Sequence, residues 1–154
     1  MKNLLTIGLV ALALLGAGVA VWKRSSARAE PAGPPAAALP ADGVVVTYFT
    51  TNVRCASCLK IEKLTRETVA KHFPAESAAG GLVFRVINTD EPGNKHFLND
   101  YQLVSKTVIV SVRKDGQETG WKNLQDVWLK LADPAAFDAY VRGAIGSALG
   151  QPPA

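Results

Sequence analysis

The chain has 154 residues, 48% of them hydrophobic and 19% charged, with a formal net charge of +4. That length accommodates one domain of about 100 residues plus appendages, and a core of that size holds together without disulfides. Lys2, Lys23, Arg24 and Arg28 supply most of the basic excess against Glu30, and no dense Lys/Arg run interleaved with aromatics follows, which leaves nucleic-acid binding without support.

The stretch LLTIGLVALALLGAGVAVW, Leu4 to Trp22, is nineteen residues without a charge. It is long enough to cross a bilayer as a helix and longer than the apolar core of about 7–15 residues in a secretory signal, so residues 1–22 favour an uncleaved single-pass anchor. Small residues at Gly18 and Ala20, and again at Ala27 and Ala29, offer the alternative of a cleaved signal peptide. Both routes carry the remainder out of the cytoplasm, where a cysteine pair stays oxidised unless something reduces it. Residues 23–42, KRSSARAEPAGPPAAALPAD, contain four prolines and nothing periodic, as expected of a disordered, semi-extended tether. The folded domain is expected over residues 43–150, with a tail over residues 151–154.

Within that domain GVVVTYFT, Gly43 to Thr50, has the β-branched and aromatic content of a buried strand. CASCLKIEKLTRETVAKHF follows as a helix, with Cys58, Ile61, Leu64 or Thr65, and Thr68 near one face. Glu62–Arg66, Lys63–Glu67 and Glu67–Lys71 lie at the four-residue spacing that supports the other. After the breaker Gly80–Gly81, LVFRVINTD predicts a second strand. Asp90 as cap and Pro92 at an early helical position predict a short second helix in EPGNKHFLNDYQL. KTVIVSVR, Lys106 to Arg113, is a third strand, joined through an Asp115–Gly116 turn to a fourth that ends near Trp121. Asn123 is placed to cap a helix with Leu124, Val127, Trp128 and Leu131 on one stripe. Asp133–Pro134 restarts it, with Phe137, Tyr140 or Val141, and Ala144 or Ile145 facing inward.

Both cysteines lie in VRCASCLK, where the first strand hands over to the first helix. A disulfide oxidoreductase needs one thiolate that attacks and a second thiol that resolves the mixed disulfide. A C-x-x-C pair on the first helical turn supplies both, because unpaired N–H groups and the helix dipole favour a thiolate at the first sulfur. Cys55 is therefore the candidate nucleophile and Cys58 the resolving residue, with Arg54 a nearby cation that could tune the Cys55 pKa. A purely structural role is disfavoured, since so small a loop removes little unfolded-chain entropy. The competing chemistry is a metal held by Cys55 and Cys58. CASC ahead of IEK is similar to the Met-x-Cys-x-x-Cys copper loop of heavy-metal-associated domains, but Val53 stands where that family has methionine. A tetrahedral zinc would need two further ligands, and only His72 and His96 remain, with His72 about 20 Å of helical rise away. His72 reads more simply as a helix-end residue, His96 as solvent-facing, and Tyr101, Trp121 and Trp128 as core or rim aromatics. No flavin or nicotinamide fingerprint such as G-x-G-x-x-G is present, and no cofactor is expected.

The order β-α-β-α-β-β-α, with the cysteines after the first strand, is that of a minimal thioredoxin-like α/β fold. NVRCASCLKIEKLT, VINTDEPGNKHFLNDYQL and DGQETGWKNLQDVWLKL through FDAYV span most of residues 47–142. They resemble a bacterial family of thioredoxin-like proteins described as a subunit of nitrophenyl-compound nitroreductase and linked to nitroaromatic arsenicals. The resemblance implies an exported domain on the periplasmic side of the cytoplasmic membrane, working with a membrane electron donor of the disulfide-reductase type and a dedicated redox partner. Relative to ordinary thioredoxins, Arg54, Ala56 and Ser57 replace the tryptophan and Gly-Pro of the motif. The position comparable to their cis-proline is near Thr107, a further rim or tuning candidate, and their buried acid would fall near Thr47. The expected activity is that of a monomeric, membrane-tethered thiol–disulfide carrier, with a metal-binding module or a non-catalytic accessory subunit as the alternatives.

Overall fold

Gly43–Thr50 form strand β1, and seven of its eight residues are buried. The computed structural model describes residues 39–151, so the expected anchor or signal and residues 23–38 of the tether lie outside the described residues. Among the described residues no helix is long and apolar enough to cross a membrane. After β1 come helix α1 (Ala56–His72), the short α2 (Pro74–Ala78), β2 (Leu82–Asn88), the single-turn α3 (Phe97–Asp100), β3 (Thr107–Lys114), β4 (Gln117–Asn123) and α4 (Pro134–Ala148).

The sheet order is β2-β1-β3-β4, with β1 parallel to β2 and antiparallel to β3, and β3 antiparallel to β4. A strand buried on both faces is a near-continuous apolar run, which is what GVVVTYFT offers. Its first residue must be glycine: Gly43 has φ +142°, and a Cβ there would lie 2.2 Å from the Gly81 carbonyl oxygen. That close approach lets the Val44 N–H donate to the same oxygen at 2.8 Å and sets the parallel register Val44↔Leu82. The β3–β4 hairpin turns at Asp115 and Gly116, both at positive φ, as a two-residue hairpin of the expected Asp-Gly type requires. Helices α1 and α4 pack against each other and over one sheet face. Val44, Val46 and Tyr48 of β1 and Val108 and Val110 of β3 meet Ile61, Phe137, Val141 and Ile145 there. On the other face Phe49 and Ile109 pack with Tyr101 and Phe97. Each fully buried valine, isoleucine or phenylalanine among them contributes about 1.5–3 kcal/mol. This topology is the thioredoxin-like fold.

Two expected helices differ. EPGNKHFLNDYQL forms only a 3-10 turn at Pro92–Asn94 and the four-residue α3. Asp90 does not cap it, because its carboxylate accepts the Asn52 N–H at 2.8 Å, while Asn94 Nδ2 donates to the Asn88 carbonyl at 2.9 Å. The stripe Leu124, Val127, Trp128 and Leu131 lies on a 3-10 turn at Gln125–Val127 and the turns after it, with Leu124 and Val127 buried as a helix would have buried them. Asn123 belongs to β4, opposite Ile109, and its Oδ1 accepts the Thr107 hydroxyl at 2.7 Å instead of capping. By contrast α4 starts at Asp133–Pro134 as expected, and Asp133 caps it by accepting from the Ala135 and Ala136 N–H groups.

A polar clamp ties α1 to α4. Asp138 accepts the Thr68 hydroxyl at 3.0 Å and pairs with His72 Nε2 at 2.8 Å, with Lys71 at 3.9 Å. Burial acts to raise the Asp138 pKa, but the hydrogen bonds from His72 and Thr68 and the charges of His72 and Lys71 outweigh it and hold the carboxyl below its ordinary value. A depressed folded pKa gives stability that is present above the unfolded pKa and lost as pH falls through the folded one. Asp138→Asn is therefore expected to cost about 1 kcal/mol in urea denaturation at pH 7, the difference closing below about pH 4. An equal loss at pH 7 and well below about pH 4, where the carboxyl is protonated in both folded and unfolded chains, would show that the charge is irrelevant.

Candidate functional site

Where β1 ends, the chain must leave the sheet and start α1 within five residues, Thr51 to Cys55. Polar clasps hold this turn. Asn52 donates its N–H to Asp90 and accepts from Asn88 Nδ2 at 2.7 Å, Asp90 N–H donates to Asn88 Oδ1 at 3.0 Å, and the Lys106 ammonium donates to the Val53 carbonyl. Cys55 is the N-cap of α1, with extended backbone angles, and its Sγ accepts the Cys58 N–H at 3.1 Å. It thus fills the role that a serine or aspartate side chain usually has at this position. No acidic residue occupies the first turn of α1, so the positive end of the helix faces the sulfur without a competing carboxylate.

Cys55 and Cys58 form a disulfide with Cα atoms 5.0 Å apart. Cys55 is exposed, whereas Cys58, one turn along, is only 1% exposed. Under Cys58 the Tyr48 hydroxyl donates to its carbonyl oxygen at 3.0 Å, and burial pushes the Tyr48 phenol above its ordinary pKa. Beside it, Lys106 Nζ lies 3.3 Å from Cys58 Sγ. A groove of about 250 Å³ runs from Lys106 past Phe49, Thr50, Leu98, Leu103 and Val104. Val53 and Val104, 69% and 87% exposed, project near this end of the sheet.

The structure therefore brings together Cys55, Cys58 and the start of β3. Thr107 is buried at the first position of β3, opposite Phe49, with its hydroxyl on Asn123 rather than on a sulfur. Arg54 is paired with Glu62, which also receives Arg66 at 3.4 Å. His72 is engaged by Asp138, and His96 is exposed, its ring tilted against Phe97, and 3.9 Å from Asp100. Tyr101 is buried with its hydroxyl on Glu118 at 2.7 Å, and Trp121 meets it edge-on. Two contributors escaped the sequence reading. Lys106 stood only as the residue opening a strand, and Trp128 as a core aromatic. Trp128 packs against the core and its Nε1–H also donates to the Lys106 carbonyl at 2.7 Å. No sequence signal marks Lys106; the antiparallel register Phe49↔Thr107 of the folded sheet sets the residue before Thr107 beside the end of β1.

No protein-family model and no curated protein matches the chain. Among solved structures it is similar to a thioredoxin of Malassezia sympodialis, at 18% identity over 69% of this chain and 78% of that one, with a TM-score of 0.43. It is also similar to a thioredoxin of Trypanosoma brucei brucei, at 22% identity over 68% and 76%, with a TM-score of 0.40. A mutant thioredoxin of Halobacterium salinarum gives 19% identity over 68% and 76%, with a TM-score of 0.41.

The unequal exposure of the two sulfurs gives a direct chemical expectation. After reduction, iodoacetamide should modify Cys55 at least about tenfold faster than Cys58, since reactivity follows thiolate character and access. Peptide mass analysis of a time course measures this, and equal labelling would contradict the assigned asymmetry.

Proposed function

We propose that the protein is a thiol–disulfide oxidoreductase, a carrier that cycles Cys55 and Cys58 between disulfide and dithiol. The observation that carries this reading is the exposed N-cap sulfur of Cys55 bonded to the buried sulfur of Cys58 at the start of α1. In the oxidising direction the Cys55 thiolate attacks a partner disulfide, forming a mixed disulfide and expelling one partner thiolate. Cys58 then gives up its proton and attacks Cys55 Sγ, closing the intramolecular disulfide and releasing the second partner thiolate. Two electrons and two protons pass from the dithiol to the partner. The reverse sequence recharges the protein.

The finer reading is an exported, membrane-tethered carrier between a membrane electron donor and a dedicated partner. The chain's entry into the fold supports it. Arg113 donates to the carbonyls of Pro40 and Gly116, Gly116 N–H to Ala41, and Asp115 N–H to Asp42 Oδ1. These bonds hold Pro40 to Asp42 at the β3–β4 turn, beside the first residue of β1. Cys55 follows the last, roughly 25 Å along an eight-residue strand. Residues 40–42 are thus fixed at the end of β1 opposite the dithiol. Service to a partner that reduces nitroaromatic compounds, with the nitro chemistry on another polypeptide, follows from the sequence resemblance.

Removing the resolving thiol tests the carrier. Cys58→Ser should accumulate a disulfide-linked adduct with its partner, visible as a higher mass in non-reducing gels, whereas Cys55→Ser should not. Equal trapping by both variants would remove the nucleophile assignment, and trapping by neither would remove the carrier.

A further inference from the structure

Cys58 Sγ is buried, yet every turn of the cycle must place negative charge on it. A thiol taken out of water resists ionisation unless a partner stabilises the anion. The groups that face Cys58 are few. From β1 comes the Tyr48 hydroxyl, which is committed to the Cys58 carbonyl. Around α1 the charged neighbours are Arg54 and Glu62, which are paired with each other. From the loop before β3 comes Lys106, whose Nζ lies 3.3 Å from Cys58 Sγ. Among the described residues no carboxylate forms an ion pair with Lys106. Its position is set from three sides. The ammonium also donates to the Val53 carbonyl, the Lys106 carbonyl accepts Trp128 Nε1–H at 2.7 Å, and the next residue is locked opposite Phe49 in the sheet. The cation thus already stands at the sulfur in the disulfide state, before any charge has formed, which is the arrangement that costs no reorganisation during reaction.

We propose that Lys106 is a catalytic residue that stabilises the Cys58 thiolate. This deepens the carrier reading and rests on it. When an incoming thiolate attacks Cys55 Sγ, a new sulfur–sulfur bond forms there and the Cys55–Cys58 bond breaks. Its electron pair passes to Cys58 Sγ beside the ammonium. A second thiolate then attacks the incoming sulfur, releases Cys55 as a thiolate and leaves the former attackers joined as a disulfide, and the protein's thiolates take up protons from solvent. In the opposite direction the same ammonium favours loss of the Cys58 proton and so supplies the nucleophile that resolves the mixed disulfide. Lys106 occupies for the buried sulfur the place that the helix terminus occupies for the exposed one.

The test titrates Cys58 alone, in Cys55→Ser protein, by the ultraviolet absorbance of its thiolate. Adding Lys106→Met should raise the midpoint by at least about one pH unit, a tenfold loss of thiolate near neutrality, and Lys106→Arg should recover most of it. With both cysteines present, Lys106→Met should slow reduction by dithiothreitol at least about threefold, because the leaving sulfur is poorer. Circular dichroism checks that each variant is folded, and Lys106→Gln serves in place of a methionine variant that is not. An unchanged midpoint in the neutral variant overturns the proposal. So does an equal shift in the arginine variant, which would assign Lys106 to holding the Val53 loop. The titration needs no partner, so failed trapping with a shifted midpoint would remove the carrier reading while leaving the ion–sulfur coupling intact.

Discussion

The pairing of β1 on both edges is the constraint from which the rest of the structure follows. Because β2 and β3 take its backbone hydrogen bonds and the two packed layers take its side chains, β1 has no freedom of register. A one-residue slip would exchange Val44, Val46 and Tyr48 with Val45, Thr47 and Phe49. A hydroxyl and the wrong aromatic would then face α1 and α4. Fixing β1 fixes where the chain leaves the sheet, and therefore where the first turn of α1 and its two sulfurs stand.

The same register makes the site more than a helix end. Antiparallel pairing with β3 brings the start of one strand to the finish of the other, so Lys106 arrives at Cys58 although 48 residues separate them. Parallel pairing with β2 places Asn88 and Asp90 where they can bind the turn at Asn52. The exposed sulfur is served by a helix terminus free of carboxylates and the buried one by a cation. The Thr68–Asp138–His72 clamp ties α1 to α4 at the C-terminal end of α1, away from the first turn that carries the two sulfurs.

What could be read from the sequence was what local signals decide. The apolar run of β1, the C-x-x-C at the strand-to-helix boundary, the Asp115–Gly116 hairpin and the helix start at Asp133–Pro134 each depend on a few neighbouring residues, and each stands where it was expected. The stripe from Leu124 to Leu131 misled because helical spacing buries the same residues that a sequence of tight turns can bury, and Asn123 was held by its strand and by Thr107. The segment after Asp90 misled in a similar way, its capping residue having been taken by Asn52 from across the sheet edge. The role of Lys106 was hidden because nothing near it in sequence marks it. Its meaning comes from a register that only the folded sheet defines.

If Cys55 and Cys58 form a reversible two-electron couple rather than a staple, their reduction potential must lie within reach of partner dithiols. Equilibrating the protein across a series of thiol–disulfide buffers and following the change by intrinsic fluorescence measures it directly. One reversible transition with two-electron slope is predicted between about −270 and −120 mV, the range spanned by carriers of this chemistry. A disulfide that resists reduction down to about −300 mV, as structural disulfides do, would contradict the carrier.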